Sequence, residues 1–433
     1  MSNIQLDLFS QNSESSQEFF TRKRSWSAAK HRIMLRYIQS YCYNLGGEKA
    51  SQSKHLNYVD GFAGEGSYDE GIGIEDFVNE SNFWKRYDIN LLDTDGSPLI
   101  ALKCAKGFRA EERVNLRCLF AEANKRTNQK LRENCSAHAT DLDLKIYDPQ
   151  PFSHTFPQIL QDLNGYPTVF FLDAFGVKGL SFEQICSIGD YVSKAKGELF
   201  LLFHNVAVAR HAGFLTTKSD NERMKRTAET YMRNLTTLLG PNSDQEWKPQ
   251  WEELKDQSQE FERWALHYFV HRISRESQFK GVATYEIKER YNDTRPMYSI
   301  VACSNHPWKA FGYFLNDFFV DEDRFLFYEE DKSKRNRNFL EQKWNQQVHQ
   351  RKVDAKPEII KILNQTNRQW KKLDDVITDV ILALSTKGFG LGFLKRSDYR
   401  IIMLELFKER IIQADSLGRN NVPKLESKVR IVQ

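Results

Sequence analysis

The sequence predicts an α/β chain with a doubly wound, mostly parallel sheet and a small helical domain after it. Three observations carry this. Apolar runs end in an acid three times, at Leu56 to Asp60, Leu116 to Glu122 and Pro167 to Asp173. A turn rich in small residues, Gly61 to Gly66, follows the first run. Beyond about residue 330 the composition turns basic. Unbroken apolar runs suit strands buried on both faces, and acids at their ends face the crevice where such sheets bind ligands.

At 433 residues the chain exceeds what one core needs, so two or three domains are expected. Hydrophobic residues at 40% and aromatics at 13% support a packed core and argue against disorder. The net charge of +4 neither demands nor excludes nucleic acid. Six scattered cysteines, with no C-x-x-C pair, argue against both a metal site and a disulfide framework. The first residues lack a basic-plus-apolar signal pattern, and no apolar run reaches membrane-spanning length. A cytoplasmic protein with no membrane contact is expected.

Residues 1–22 read as a flexible arm. Trp26 to Tyr41 has the spacing of an amphipathic helix. It either packs across the sheet edge or brings Lys30 or His31 to the mouth of a ligand site. The turn after Asp60 lets the backbone approach a nucleotide-type ligand. It lacks the G-x-G-x-x-G spacing, so a dinucleotide is not the first choice. The pattern Asp60-Gly61-Phe62-Ala63-Gly64-Glu65-Gly66 resembles motif I of S-adenosylmethionine-dependent methyltransferases. That resemblance implies a Rossmann-like core, with Asp60, Phe62, Ala63, Gly64 and Gly66 at the cofactor.

Residues 69–96 are acidic, glycine-dotted and long for a loop, so they are either functional or an insertion. Ser97-Pro98 opens a helix, the serine suited to cap it and the proline to its first turn. Glu122 is placed to accept hydrogen bonds from ribose hydroxyls, or is simply a solvated strand end. A polar helix follows, then a third strand at Leu142 to Tyr147. Asp148 after it meets an adenine amino group or only starts a turn before Pro149.

Pro167 to Leu172 is the most apolar run and is expected at the sheet centre. It leads into Asp173-Ala174-Phe175-Gly176. Methyl transfer to an amine needs an acceptor to align the nucleophile and an aromatic to stack an extruded base. Asp173 and Phe175 supply those two chemical types, and Gly176 completes the block. The alternative makes Asp173 a cap for the helix from Ser181 and Phe175 a core residue. Glu198 to Phe203 is the fifth strand, and a mixed-charge helix fills Ser219 to Leu239. Residues 240–260, with Trp247 and Trp251, read as an insertion or lid. A further helix, Gln259 to Arg275, precedes paired strands at Tyr285 to Arg290 and Met297 to Cys303. An antiparallel hairpin there completes a methyltransferase-type sheet; a helix from Pro307 to Phe319 follows, and the methyltransferase-type domain spans residues 23–330.

Between Lys332 and Lys372 stand twelve Lys/Arg against three Asp/Glu. Residues 331–365 are either a solvated helical connector or a phosphate-contacting segment. The candidate contacts are Lys332, Lys334, Arg335, Arg337, Lys343, Arg351 and Lys352. Residues 366–433 read as helix, turn, helix and β-ribbon, a winged-helix-like pattern used both for nucleic acid and for protein docking.

Several blocks together resemble the three-Cys-motif partner protein family, a bacterial group with a methyltransferase-like core. They are WSAAKHRIMLRYI, YVDGFAGEGSY, DGSPLIAL, LFAEANKRTNQKL, VFFLDAFG and MYSIVACSNHP, spread over roughly residues 25–320. The resemblance implies a separate partner protein carrying the three cysteines, and no metal on this chain. The family's block at the fourth strand is D-P-F-G, where this chain has Asp173-Ala174-Phe175-Gly176. The same block is similar to that of transfer-RNA guanine-N2 methyltransferases. No Pro-Cys pair follows the fourth strand, so cytosine-C5 chemistry is set aside. The expectation is a nucleic-acid methyltransferase acting at an exocyclic amine in a modification or defence system. The alternative is a methyltransferase-derived scaffold that binds nucleic acid or cofactor and recruits the partner. No clustered nuclease pattern is present.

Overall fold

Runs rich in leucine, valine and phenylalanine form strands, and the segments between them with helical spacing form helices, as their periodicities require. The computed structural model describes residues 21–46, 54–74, 89–111, 114–174, 176–216, 221–329, 337–366, 369–387 and 389–432. They fall into two compact units. The first takes the chain to Val282, with Glu286–Glu289 and Asp293–Asn305. The second takes Ala283–Tyr285, Arg290–Asn292 and the chain from His306.

In the first unit helix α1 (Ser25–Gly46) precedes strand β1 (Lys54–Asp60). There follow α2 (Ser97–Ala110), β2 (Val114–Phe120), α3 (Lys125–Ser136), β3 (Leu144–Ile146) and α4 (Phe152–Asp162). Then come β4 (Thr168–Leu172), α5 (Phe182–Ala195), β5 (Gly197–Phe203) and α6 (Asn205–Gly213). Helices α7 (Glu222–Leu239), α8 (Asp244–Leu254) and α9 (Ser258–Glu276) lead to β6 (Gly281–Ile287) and β7 (Tyr298–Ser304). The sheet order is β3-β2-β1-β4-β5-β7-β6. Strands β1 to β5 are parallel and β7 runs antiparallel to β5. Every residue of β4 and β5 is buried, as expected of central strands covered on both faces.

Local signals explain several boundaries. Asn124 accepts from the Arg126 and Thr127 amides and starts α3. Ser181 and Gln184 form a reciprocal capping box at α5, so that helix needs no help from Asp173. Pro98 sits in the first turn of α2, but Gly96 is the cap residue and no side chain caps the helix. Helix α4 buries Phe152, Thr155, Phe156 and Ile159 at helical spacing.

Two expectations change. Helix α1 does not lie at the sheet edge. Its Met34 Sδ accepts from Tyr58 of β1, and its Tyr37 ring meets Phe200 of β5 edge-on at 4.5 Å. It therefore crosses the central strands, and Lys30, His31 and Arg32 are buried with it. Residues 240–260 are not a lid. Trp247 and Trp251 lie inside the core, and the Trp247 indole donates to Thr236 Oγ1 at 3.1 Å. A buried tryptophan with a satisfied N–H is a structural anchor.

In the second unit a helical start at Pro307–Lys309 passes through a π-turn (Ala310–Leu315) into α10 (Asn316–Glu329). Then come α11 (Arg337–Thr366), β8 (Lys371–Lys372), α12 (Leu373–Ser385), α13 (Arg396–Lys408), β9 (Ile412–Ala414) and β10 (Lys428–Ile431). The small sheet is antiparallel, in the order β8-β10-β9. Arg396 binds this unit together, donating to Gly312 O, Thr378 Oγ1 and Asp374 Oδ1 at 2.9, 2.7 and 2.6 Å.

The basic segment is no connector. Helix α11 buries Leu340, Trp344, Ala355, Ile359, Ile362 and Leu363. Arg351 donates to Phe393 O at 3.0 Å, and Lys352 pairs with Asp398 at 2.9 Å, so both serve the unit's interior contacts. Arg337 and Lys343 are exposed. Lys332, Lys334 and Arg335 lie outside the described residues.

All six cysteines are free. Five are buried and Cys186 is half-buried. No described helix is long and apolar enough to cross a membrane.

Glu198 on β5 is buried and accepts from Ser304 Oγ. Burial raises its carboxyl from 4.5 to about 7. The folded chain thus keeps a proton that the unfolded chain releases. The stability linked to that proton is complete below about 4.5 and is lost as pH rises through about 7. Glu198→Gln removes this dependence. Chemical denaturation should show the variant gaining on wild type by up to about 3 kcal/mol between pH 5 and 8.

Candidate functional site

The site forms where β1, β2 and β4 end. After Asp60 the chain turns through Gly64 and Gly66, at φ 63° and 81°. These are left-handed conformations in which glycine meets no steric penalty. Each part of the turn is tied to a neighbour. Gly61 N donates to Phe171 O at 3.1 Å, and Ala63 N to Ala121 O at 2.9 Å. Gly96 N donates to Gly66 O at 2.9 Å. Lys130 pairs with Glu65 at 2.8 Å.

Above the turn lies a cavity of about 480 Å³, within the usual range for small-molecule sites. Phe62, Ala63, Gly64, Gly66, Glu122 and Asp173 all line it. Glu122 Oε2 accepts from Gly64 N at 3.1 Å and Oε1 from Asn124 N at 2.8 Å. A carboxylate has about four acceptor positions, so two remain for a ligand. Burial holds the Glu122 carboxyl above its ordinary range, while the N–H donors act against that.

Three expected residues are placed differently. Asp60 is fully buried beneath the turn and absent from the cavity wall. Its Oδ1 accepts from Phe62 N at 3.2 Å, so it shapes the turn from below. Burial raises its carboxyl to about 7. Asp148 faces solvent, with 96% of its side chain exposed, and pairs with Arg132 at 3.3 Å. It is a turn residue, and Phe152 after it lines the cavity instead. Gly176, at φ 76°, makes the turn after β4 without reaching the wall, where Lys178 and Gly179 stand. Phe175 lies outside the described residues.

Sequence reasoning left Lys30 and His31 open and missed Tyr68, Phe152 and Tyr298, all on the wall. Phe152 meets Phe62 ring to ring at 5.1 Å. The ammonium of Lys30 is paired with Asp173 Oδ2. Their side chains are 6% and 21% exposed, so the pair is largely desolvated. Burial opposes the charge on Lys30, yet Asp173, with Tyr68 and Tyr298 beside it, holds the ammonium above the usual lysine range. Burial, reinforced by Lys23, Lys30 and Arg32, keeps His31 neutral. Its Nδ1 is buried with no hydrogen-bond partner among the described residues. Burial and the neighbouring Asp173 push Tyr298 up to about 12, so its phenol stays protonated. Among the described residues no cluster of His, Cys, Asp and Glu could hold a metal ion.

No family model matches the chain, and no curated protein matches it. Among the solved structures that overlap with it, two do so at low scores. One is protein LPL1258 of Legionella pneumophila, from family DUF519, at 13% identity and a TM-score of 0.32. That overlap covers 66% of this chain and 87% of the other. The second is the cyclopropane synthase MmaA2 of Mycobacterium tuberculosis, at 12% identity and a TM-score of 0.21. It covers 61% of this chain and 82% of the other. Functional inference therefore rests on the site itself.

The Gly96–Gly66 contact is tight, since a Cβ on Gly96 would stand 2.8 Å from Gly66 O. Gly96→Ala should displace the start of α2 and lower the unfolding free energy by roughly 1–3 kcal/mol. Unchanged denaturation would show that the turn has slack.

Proposed function

We propose that the first unit binds S-adenosylmethionine and transfers its methyl group to an exocyclic amine. The observation that carries this is the convergence of three strand ends on one cavity. There the glycine turn, the Glu122 carboxylate and the Asp173 carboxylate share a wall. A parallel sheet that finishes with an antiparallel strand supports the same reading.

The residues present fit that cofactor. Glu122 keeps acceptor capacity for ribose hydroxyls. Phe62 and Phe152 offer aromatic surface for a planar base. The glycines at positive φ let the chain approach closely. S-adenosylmethionine, when bound, supplies a methyl group on a sulfonium. Asp173 accepts a hydrogen bond from the target amine, directs its lone pair and takes the proton it sheds as positive charge develops. Tyr68 and Tyr298 present rings on the same wall, against which an extruded base can stack.

Nucleic acid is the proposed source of the amine, and the three-Cys-motif partner is the proposed companion that the family resemblance implies. The second unit supplies support for nucleic acid. Register places Lys428 opposite Lys372, and Arg430 lies over the half-exposed Trp370 at 4.8 Å. Cations interleaved with an aromatic on a sheet face suit phosphates and bases. The helix–helix–ribbon order fits a winged-helix-like reading of that unit.

Calorimetry with S-adenosylmethionine tests the cofactor; absence of binding removes the reading. Asp173→Asn should lower transfer by about 10²- to 10⁴-fold while cofactor binding persists. Wild-type binding without transfer to DNA, RNA or partner would instead favour the scaffold. Lys372→Glu with Lys428→Glu should weaken oligonucleotide binding and flatten its salt dependence by about two contacts, read by fluorescence anisotropy across a salt series.

A further inference from the structure

The pair between Lys30 and Asp173 competes with the proposed chemistry. Asp173 has to accept from the target amine, yet its Oδ2 already holds the Lys30 ammonium, which leaves Oδ1 for the amine. Both side chains are on the cavity wall. A buried ammonium is stable only beside a negative charge, so Lys30 leaves Asp173 only when another anion arrives. Lys178 also reaches the wall, but it is exposed, and water already satisfies its charge.

His31, the next residue on α1, is a second sign of an unfilled site. It is 1% exposed, lines the same cavity and has an unpartnered Nδ1. The Lys30 ammonium beside it is complementary to a ligand's carboxylate. The amino-acid end of S-adenosylmethionine has that chemistry.

We propose that α1 carries an exchange site for a ligand's amino-acid end, at which the incoming carboxylate takes Lys30 and thereby frees Asp173 for the target amine. Binding is then ordered, and both oxygens of Asp173 are open to the amine only once the cofactor is seated. Charge stays balanced through the exchange. The ligand brings one carboxylate against an ammonium and a sulfonium, so the released Asp173 faces an added net positive charge. This rests on the cofactor reading above and assigns Lys30 as a positioning residue for the acceptor carboxylate.

Calorimetry of the full chain with three ligands tests it: S-adenosylmethionine, S-adenosylhomocysteine and 5′-methylthioadenosine, which lacks the amino-acid end. Lys30→Met should weaken the first two by about 10- to 100-fold, the range of one charge-assisted contact. It should leave methylthioadenosine within about threefold, which also verifies that the variant is folded. Asp173→Asn removes the competitor for Lys30 and should tighten S-adenosylhomocysteine several-fold, with methylthioadenosine unchanged. Equal losses for all three ligands in Lys30→Met, or unchanged or weaker S-adenosylhomocysteine binding in Asp173→Asn, overturn the exchange while leaving the cofactor reading intact. Wild type that binds none of the three removes both.

Discussion

The register of three parallel strands is the constraint on which the site depends. Asp60 is paired with Phe120 on one side and Phe171 on the other. The strands therefore end level, and the residues two beyond each pair, Phe62, Glu122 and Asp173, emerge at one height. Because side chains alternate along a strand, a slip of one residue would turn every one of them to the opposite face. Ladder hydrogen bonds and apolar burial fix the register, so the fold places the acids before any ligand is involved. The acids that reach the cavity, Glu122 and Asp173, stand just beyond the C-terminal ends of the strands, which is where a parallel sheet accepts ligands.

Within that geometry, burial and donors act against each other in a different way at each acid. Asp60 has the Phe62 amide as donor and no exposure, so burial dominates and raises its carboxyl to about 7. Glu122 stands at the wall with backbone N–H groups on both oxygens. Asp173 has a full cation beside it, brought by a helix that crosses the sheet's centre. Three strand-end acids thus serve a turn, a wall and an ion pair. The distinction comes from what the neighbouring elements deliver to each.

Much of the sheet was legible in the sequence, because continuous apolar runs and the small residues after Asp60 act locally. Glu122 and Asp173 were legible for the same reason, as ends of such runs. Lys30 was not resolved, because its role depends on α1 lying over central strands, and helical periodicity does not say which strands a helix crosses. Asp148 was misplaced since a strand-end acid looks the same in sequence whether it turns inward or out to Arg132. Trp247 and Trp251 sit among polar residues in the chain, and only the tertiary packing of α8 shows them as core. In α11 the basic residues mask a buried stripe from Leu340 to Leu363, so composition suggested a connector where the chain builds a core. Arg351 and Lys352 were read as phosphate contacts, but their partners are supplied by distant residues that composition does not reveal.

The distribution of cysteines has a practical consequence. Cys42, Cys104, Cys118 and Cys303 are buried, and burial pushes their thiols well above the ordinary range. Cys135 is buried too, and its thiol rises to about 12. Thiolate is the reactive form, so these groups are inert while the fold persists. Cys186 on α5 is the half-buried exception, raised to about 11. The native chain therefore offers one slowly addressable labelling handle on its first unit. The other five thiols form a built-in clock, whose alkylation rate reports how often the sheet opens.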